Sequence, residues 1–278
     1  MNHPGPPRWL TGVVAALVTP LTGRGTVSDD SVGRLMASLK PHVDAVLPTL
    51  SSGEGALLGR RQWRDMVAAT VRYAGDLPVV AGVLAPSTEI ALGRARAARR
   101  AGARAVAVTV PPEARVSPEA TYLHFAQLAR AQLPVVVYLE PVLSPTTLDL
   151  DLVHRICRIP AVVGIKDSAG DPEFTRRLVE SRPGVRVFQG LEHLVGRVAG
   201  VDGYVLALAN VEPELCAALA RDPTCPVLTG RLTAARARYG LDGPDFVRHL
   251  KTELHRRGVL VSAAGGAAIA TPVEGNRP

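Results

Sequence analysis

The 278-residue chain is long enough for one large α/β domain, and its composition, 47% hydrophobic but only 4% aromatic, suits a core of small branched side chains. A formal net charge of +7 raises nucleic-acid binding as a hypothesis, but no aromatic ladder, zinc-ligand spacing or basic arm accompanies the dispersed arginines. Three cysteines without a CxxC pair argue against a disulfide framework or zinc site and fit a reducing compartment. No signal peptide or membrane-length apolar run is apparent, so we expect a cytoplasmic protein without a membrane partner.

Short apolar runs alternate with helical segments along the chain. Eight strands are predicted, at Gly12–Pro20, Asp44–Leu50, Leu77–Ala85, Ala103–Val110, Leu133–Leu139, Ala161–Lys166, Val185–Gln189 and Gly203–Leu208. Helices are predicted between them at Ser28–Leu39, Gln62–Tyr73, Ser87–Ala101, Pro118–Ala131, Leu148–Arg158, Glu173–Ser181 and Leu191–Val198. Three more follow the last strand, at Pro213–Ala220, Leu228–Tyr239 and Asp245–Arg257.

This alternation predicts an α/β fold, a (β/α)8 TIM barrel with a C-terminal helical extension. An open doubly wound sheet is the alternative, but it would need a glycine-rich phosphate loop after an early strand, and none is present. We expect flexible tails at residues 1–9 and 265–278, a barrel over 10–211, and helices packed on it over 212–264.

Catalytic groups of such barrels lie where the strands end, at one rim. Twelve polar residues fall there: Thr19, Ser51, Ser52, Glu54, Glu113, Tyr138, Glu140, Lys166, Ser168, Gln189, Glu192 and Asn210. Lys166 is notable because all but three of the 32 basic residues are arginine, yet this apolar strand ends in lysine. A desolvated amine can lose its proton and form a Schiff base, which guanidinium cannot. The alternative is a lysine that simply points to solvent.

Five stretches resemble the dihydrodipicolinate synthase / N-acetylneuraminate lyase family of pyruvate-dependent class I aldolases. The most specific is Val163-Gly164-Ile165-Lys166-Asp167-Ser168-Ala169-Gly170-Asp171, which is close to the family's GxKDSSGD signature. The others are Ala16-Leu17-Val18-Thr19-Pro20, Leu50-Ser51-Ser52-Gly53-Glu54 (a GTTGE-type loop), Tyr138-Leu139-Glu140-Pro141 (YNxP) and Gly203 with Asn210-Val211-Glu212-Pro213. The chain is thereby identified as a divergent member of that family.

The resemblance implies a mechanism and a set of site residues. Lys166 forms an imine with pyruvate, and the enamine derived from it adds to an aldehyde-type acceptor. Cleavage is the reverse of this addition. Tyr138 is the expected proton shuttle. The implied pyruvate-binding residues are Ser51, Ser52, Ser168, Gly190 and Val205. Neither a metal nor a cofactor is implied beyond the covalent Schiff base, and relatives are usually homo-oligomers, dimers or tetramers.

Departures from the family pattern concern the acceptor. The synthases carry a tyrosine where this chain has Pro111-Pro112-Glu113, and an arginine that binds the acceptor carboxylate where it has Leu143. Leucine cannot pair with a carboxylate, so we expect a less acidic, more apolar acceptor. Glu113 or Glu140 is a hypothetical replacement for the missing proton relay.

Structural interpretations of the same residues remain. Tyr138 could be a core tyrosine, and Ser51-Ser52 has ordinary turn composition. Glu54 is interpreted as a helix-initiating charge. The alternative function is a catalytically degenerate family member with a binding or regulatory role.

Overall fold

The computed structural model describes residues 5–110, 116–144, 146, 148–181 and 183–265. Eight strands are present in these residues. They are β1 (Gly12–Ala16), β2 (Ala45–Leu47), β3 (Val80–Val83), β4 (Ala105–Val108), β5 (Val135–Leu139), β6 (Val162–Asp167), β7 (Arg186–Gln189) and β8 (Gly203–Leu206). The α-helices are α1 (Asp29–Leu39), α2 (Arg60–Ala74), α3 (Thr88–Ala101), α4 (Pro118–Leu128), α5 (Leu150–Cys157), α6 (Pro172–Glu180), α7 (Pro213–Arg221), α8 (Pro226–Tyr239) and α9 (Phe246–Arg256).

The strands form one parallel sheet in the order β2-β1-β8-β7-β6-β5-β4-β3. A parallel bridge between Val46 and Val79 joins the two ends of this order and completes the ring. The (β/α)8 barrel with C-terminal helices that the sequence predicts is therefore confirmed. All carboxyl ends of the strands meet at one rim, as parallel pairing around a closed sheet requires.

The barrel interior is filled by alternate residues of each strand. Val136 and Tyr138 of β5 point inward, where they pack with Val163, Phe188 and Val205. The intervening residues of β5 pack against the helical layer outside. Because alternate residues face two apolar layers, the interior and the helices, such a strand is apolar on both faces and appears as a continuous apolar run in the sequence.

One predicted helix is wrong. The segment 191–198 forms only a single 3-10 turn at Glu192–Leu194. Gly196 and Gly200 both have left-handed backbone angles, φ 77° and 82°, and these interrupt a helix soon after it starts. The short connection places Glu192 close to the end of β7, where it can reach the rim.

The C-terminal helices are joined to the barrel by polar contacts as well as apolar ones. The buried side chain of Lys251 on α9 pairs with Glu54 in the loop after β2 and donates to the carbonyl of Ala264 at 2.9 Å. Arg34 on α1 donates to the carbonyl of Val259 at 2.9 Å. The segment after α9 is thereby held against the rim side of the barrel. No helix in the described part of the chain is long and apolar enough to cross a membrane.

Candidate active site

Lys166 and Tyr138 lie on adjacent strands in direct register at the catalytic rim. Both side chains are almost fully buried, each 3% exposed. The Lys166 Nζ atom lies over the Tyr138 ring, 4.1 Å from its centre. Pairing in direct register places the two side chains on the same face of the sheet, and Tyr138 packs in the interior cluster.

The environment of Lys166 favours its neutral form. Burial lowers the pKa of the amine from 10.5 to about 8, although the negative charges of Glu192 and Glu140 partly oppose this shift. About one amine in ten is then unprotonated at pH 7, compared with fewer than about one in a thousand for an ordinary lysine. A free lone pair is what attack on a carbonyl requires.

Among the charged residues that raise the pKa of Lys166, Glu192 has the largest effect. Its Oε1 atom accepts hydrogen bonds from the backbone amides of Ala207 at 2.8 Å and Leu208 at 3.1 Å. Burial raises the pKa of this carboxyl group, whereas those amides and Lys166 lower it. Glu192 is among the polar residues that follow predicted strand ends, and the sequence assigns it no role; its interaction with Lys166 appears only in the structure.

The Tyr138 hydroxyl is the centre of a short hydrogen-bonded chain. It donates to Oε2 of Glu140 at 3.2 Å and lies 3.1 Å from Oγ of Ser51, which is left as the donor. Burial, and then the negative charge of Glu140, raises the pKa of the phenol well above its usual range, against the lowering effect of Ser51 and Ser168. The phenol therefore stays protonated and can move a proton only in concert with a neighbour.

The loop that carries Ser51 and Ser52 is held tightly. Thr49 adopts a left-handed conformation at φ 62°, and a side chain at Gly53 would place its Cβ 2.6 Å from the Thr49 nitrogen. The hydroxyl of Thr19 donates to the Gly53 carbonyl at 2.6 Å. These constraints fix the two serines at the rim, where Ser51 meets Tyr138 and Ser52 is buried.

A small space remains beside the amine because residue 190 is glycine. A Cβ there would lie 2.2 Å from Ser168 Oγ and 2.6 Å from Lys166 Cε. The Ser168 hydroxyl is buried and, among the described residues, has no partner of good hydrogen-bond geometry, although it lies near enough to Tyr138 to lower the pKa of the phenol. Val205 packs in the same interior cluster as Tyr138. Gly190 and Ser168 therefore lie beside the amine, and the pyruvate-binding role that the resemblance implies for these residues stays a prediction.

Two rim residues prove to be structural. Asp167, next to the lysine, accepts from the hydroxyl of Thr175 at 2.6 Å and from the amide of Ala169 at 2.9 Å, which anchors the end of β6 to α6. Asn210 donates to the Ala16 carbonyl at 2.8 Å and accepts from the Val18 amide at 3.1 Å. It therefore joins the ends of β8 and β1.

The interpretation of Glu54 as a helix-initiating charge is wrong. Helix α2 begins six residues later at Arg60, and Glu54 pairs instead with Lys251. Glu113, the other hypothetical relay, lies outside the described residues. Leu143 is half-buried and packs against the interior cluster that contains Tyr138. The position that carries an arginine in the synthases thus contributes an apolar surface.

Comparison with known proteins defines the class. The model of the dihydrodipicolinate synthetase family matches residues 9–236, and the chain belongs to this family. A 4-hydroxy-tetrahydrodipicolinate synthase from Phenylobacterium zucineum is 34% identical over 211 residues, which cover 74% of this chain and 72% of the relative.

Solved structures agree on the fold. A chloride-inhibited dihydrodipicolinate synthase from Acinetobacter baumannii, complexed with pyruvate, superposes with a TM-score of 0.84 at 24% identity over 92% of this chain and 91% of its own. A sialic acid aldolase from Ruminococcus gnavus, a catalytic lysine mutant, gives 0.79 at 22% identity over 91% and 87%. The family consists of lyases and aldolases whose general mechanism is a Schiff base with pyruvate.

Proposed function

We propose that this protein is a pyruvate-dependent aldolase or lyase that works through a Schiff base on Lys166, with an acceptor other than that of the standard synthases. One observation carries the proposal: a buried amine whose pKa is lowered to about 8 lies 4.1 Å from the ring centre of Tyr138. The Tyr138 hydroxyl is in turn hydrogen-bonded to Ser51 and Glu140.

The reaction begins with the neutral amine of Lys166, which attacks the ketone carbon of pyruvate. The carbinolamine loses water to give an iminium ion, and loss of a methyl proton gives the enamine. The enamine carbon then bonds to the aldehyde carbon of the acceptor, whose oxygen takes up a proton, and hydrolysis restores the amine. In cleavage, the same steps run in reverse.

The neighbouring residues have separate roles. Tyr138 moves the protons, with Ser51 and Glu140 as the groups that exchange protons with it. Ser52, Ser168 and the space at Gly190 receive the pyruvate carboxylate. Glu192 offsets the positive charge of the iminium ion, because its carboxylate already interacts favourably with the Lys166 cation.

The proposal for the acceptor rests on Leu143. The curated relatives are named 4-hydroxy-tetrahydrodipicolinate synthases, and the family pattern has an arginine at this position for the acceptor carboxylate. Leu143 packs against the apolar interior cluster, and its side chain cannot donate a hydrogen bond. An acidic acceptor would lose that bidentate contact.

Trapping tests the proposal directly. The protein is incubated with pyruvate, reduced with borohydride, weighed, and digested to map the adduct. We expect one adduct, on Lys166, that is absent in Lys166→Arg, because arginine keeps the charge but cannot form an imine. The matched control Lys40→Arg, at an exposed lysine, should retain it. Absence of an adduct in the unmodified protein would support a binding or regulatory role instead.

A further inference from the structure

A cavity of about 260 Å³ lies at the rim between the ends of β4, β5 and β6, the segment that precedes α5, and helix α6. It shares Tyr138 and Glu140 with the proposed reaction centre. The Tyr138 hydroxyl and the Glu140 carboxylate are the pair joined by the 3.2 Å hydrogen bond. A molecule bound in this cavity would therefore contact the proton relay.

The described lining of the cavity is mostly apolar. Its walls include Val110, Leu139, Leu148 and Phe174. The described residues that line it include two carboxylates, Glu140 and Asp171, and no lysine or arginine. Two carboxylates in the lining repel an anionic guest, whereas burial of an apolar group against these walls is favourable.

Ser144 adds one polar feature. It is 5% exposed, lines the cavity, and its hydroxyl has no hydrogen-bond partner within the part of the chain that the structure describes. Buried hydroxyl groups rarely remain unsatisfied, so this one is available to a guest that carries a single polar atom. The cavity is also near the small end of ordinary ligand pockets, which span about 300–1,000 Å³.

We propose that this cavity holds the substituent of the acceptor, and that the acceptor is an uncharged aldehyde with a short hydrophobic group, aromatic or branched aliphatic. This assignment rests on the proposed Schiff-base function. Leu143 stands where the family pattern has a cation and packs against the interior cluster that contains Tyr138, and it points to the same class.

The first test compares aldehydes with pyruvate as the common donor. Benzaldehyde and isobutyraldehyde are compared with succinic semialdehyde and aspartate semialdehyde by product formation. We expect kcat/KM for benzaldehyde to exceed that for either acidic aldehyde by at least about 10-fold, the usual scale for a well-placed hydrophobic group. Equal values, or a preference for an acidic aldehyde, would overturn the assignment.

Variants locate the effect in the cavity. Leu148→Arg adds a cation to the wall and should shift the preference toward acidic aldehydes by about 10-fold or more. Leu123→Arg, at a leucine on α4 that is 46% exposed and does not line the cavity, should leave it unchanged. An equal response of both variants would contradict the assignment. Phe174→Ala enlarges the cavity and should increase turnover of naphthaldehyde relative to benzaldehyde, which provides a test even if Leu148→Arg does not fold.

Formation of the pyruvate adduct distinguishes a failure of the proposed function from a failure of the cavity assignment. Borohydride trapping is performed on every variant, because adduct formation reports an intact fold and a working Lys166. If the unmodified protein forms no adduct, the proposed function fails and this assignment fails with it. If the adduct forms but acidic aldehydes are preferred, only the assignment of the cavity is overturned.

Discussion

The amine of Lys166 sits over the face of the Tyr138 ring, 4.1 Å from its centre, on strands paired in direct register. Burial disfavours the cation and lowers the pKa of the amine to about 8 against the charges of Glu192 and Glu140, and the ring face also attracts a cation. An iminium ion on the same nitrogen is also a cation, and it would meet the same ring and the same carboxylates. The site therefore suits both the neutral amine that attacks and the charged intermediate that follows.

Lys166→Met should stabilise the folded protein at pH 7. The pKa of the amine falls from 10.5 when unfolded to about 8 when folded, so below pH 8 the native state carries the full cost of a buried cation, about 3 kcal/mol. Between pH 8 and 10.5 the unfolded chain binds more protons, so the stability of the unmodified protein rises with pH and the advantage of the variant shrinks. Urea unfolding at pH 7 and 9.5 measures both values.

The exposed Lys40 provides the control for this comparison. Lys40→Met should change the free energy of unfolding by no more than about 0.5 kcal/mol at either pH. A Lys166→Met variant that is less stable than the unmodified protein at pH 7, or a difference that does not depend on pH, would show that burial of the cation carries no such cost.

Glu192→Gln should lower the pKa of Lys166 further below about 8. The carboxylate of Glu192 raises that pKa, so its removal favours the neutral amine. The pH at which pyruvate trapping reaches half its maximal rate should shift to lower values. The expected reduction in kcat is separate, because the iminium ion loses its nearest compensating charge. Glu89→Gln, at an exposed glutamate, is the control and should not move that pH. A half-maximal pH that is higher in Glu192→Gln than in the unmodified protein would refute the role of Glu192.

Glu140→Gln should slow turnover while leaving pyruvate trapping intact. The amide keeps a hydrogen bond with Tyr138 but cannot accept its proton, and a general base typically contributes 10²–10⁴-fold. We expect kcat to fall by about 100-fold, measured with benzaldehyde and pyruvate. The parallel variant Glu113→Gln tests the other hypothetical relay. Full turnover in both variants would mean that neither carboxylate is the relay.

Gly190→Ala should abolish pyruvate trapping. The added Cβ would lie 2.2 Å from Ser168 Oγ and 2.6 Å from Lys166 Cε, so the amine or the loop must move. Gly230→Ala is a matched control, because nothing lies within 4 Å of a Cβ at that helical position. It should keep full trapping and stabilise the protein by up to about 1 kcal/mol. Equal trapping in the two variants would show that the space at Gly190 is not needed.

Lys251→Met should destabilise the protein by about 3–5 kcal/mol, the usual cost of removing one partner from a buried ion pair. The side chain of Lys251 is 1% exposed and that of Glu54 is 11% exposed. Lys251→Met combined with Glu54→Leu should be less destabilised than Lys251→Met alone. Chemical denaturation of the three proteins provides the comparison, and a double variant less stable than the single one would contradict it.

The features that the sequence predicts are those that depend on residues close together in the chain. Apolar runs located the eight strands, and the lysine at the end of β6 located the amine, because both signals lie within a few residues. The pairing of Lys251 with Glu54 spans 197 residues, and no local pattern indicates it. Glu192 likewise needed the fold, since the predicted helix over 191–198 would have placed it differently.

The sequence could not choose between the two hypothetical relay carboxylates. Sequence reasoning offered Glu113 and Glu140 as equivalent choices, because both follow strand ends. Of the two, only Glu140 lies among the described residues, where it accepts a 3.2 Å hydrogen bond from Tyr138. The buried hydroxyl of Ser144, which has no hydrogen-bond partner among the described residues, could not be anticipated, because burial and contacts are properties of the folded chain.

Exchange of the pyruvate methyl protons in D₂O, followed by proton NMR, tests most directly whether Lys166 and Tyr138 act together on one keto acid. Enamine formation needs the amine and a proton shuttle but no acceptor. We predict rapid loss of the methyl signal with the unmodified protein, none above background with Lys166→Arg, and a large reduction with Tyr138→Phe. Exchange by the unmodified protein at the rate of Lys166→Arg would contradict the account.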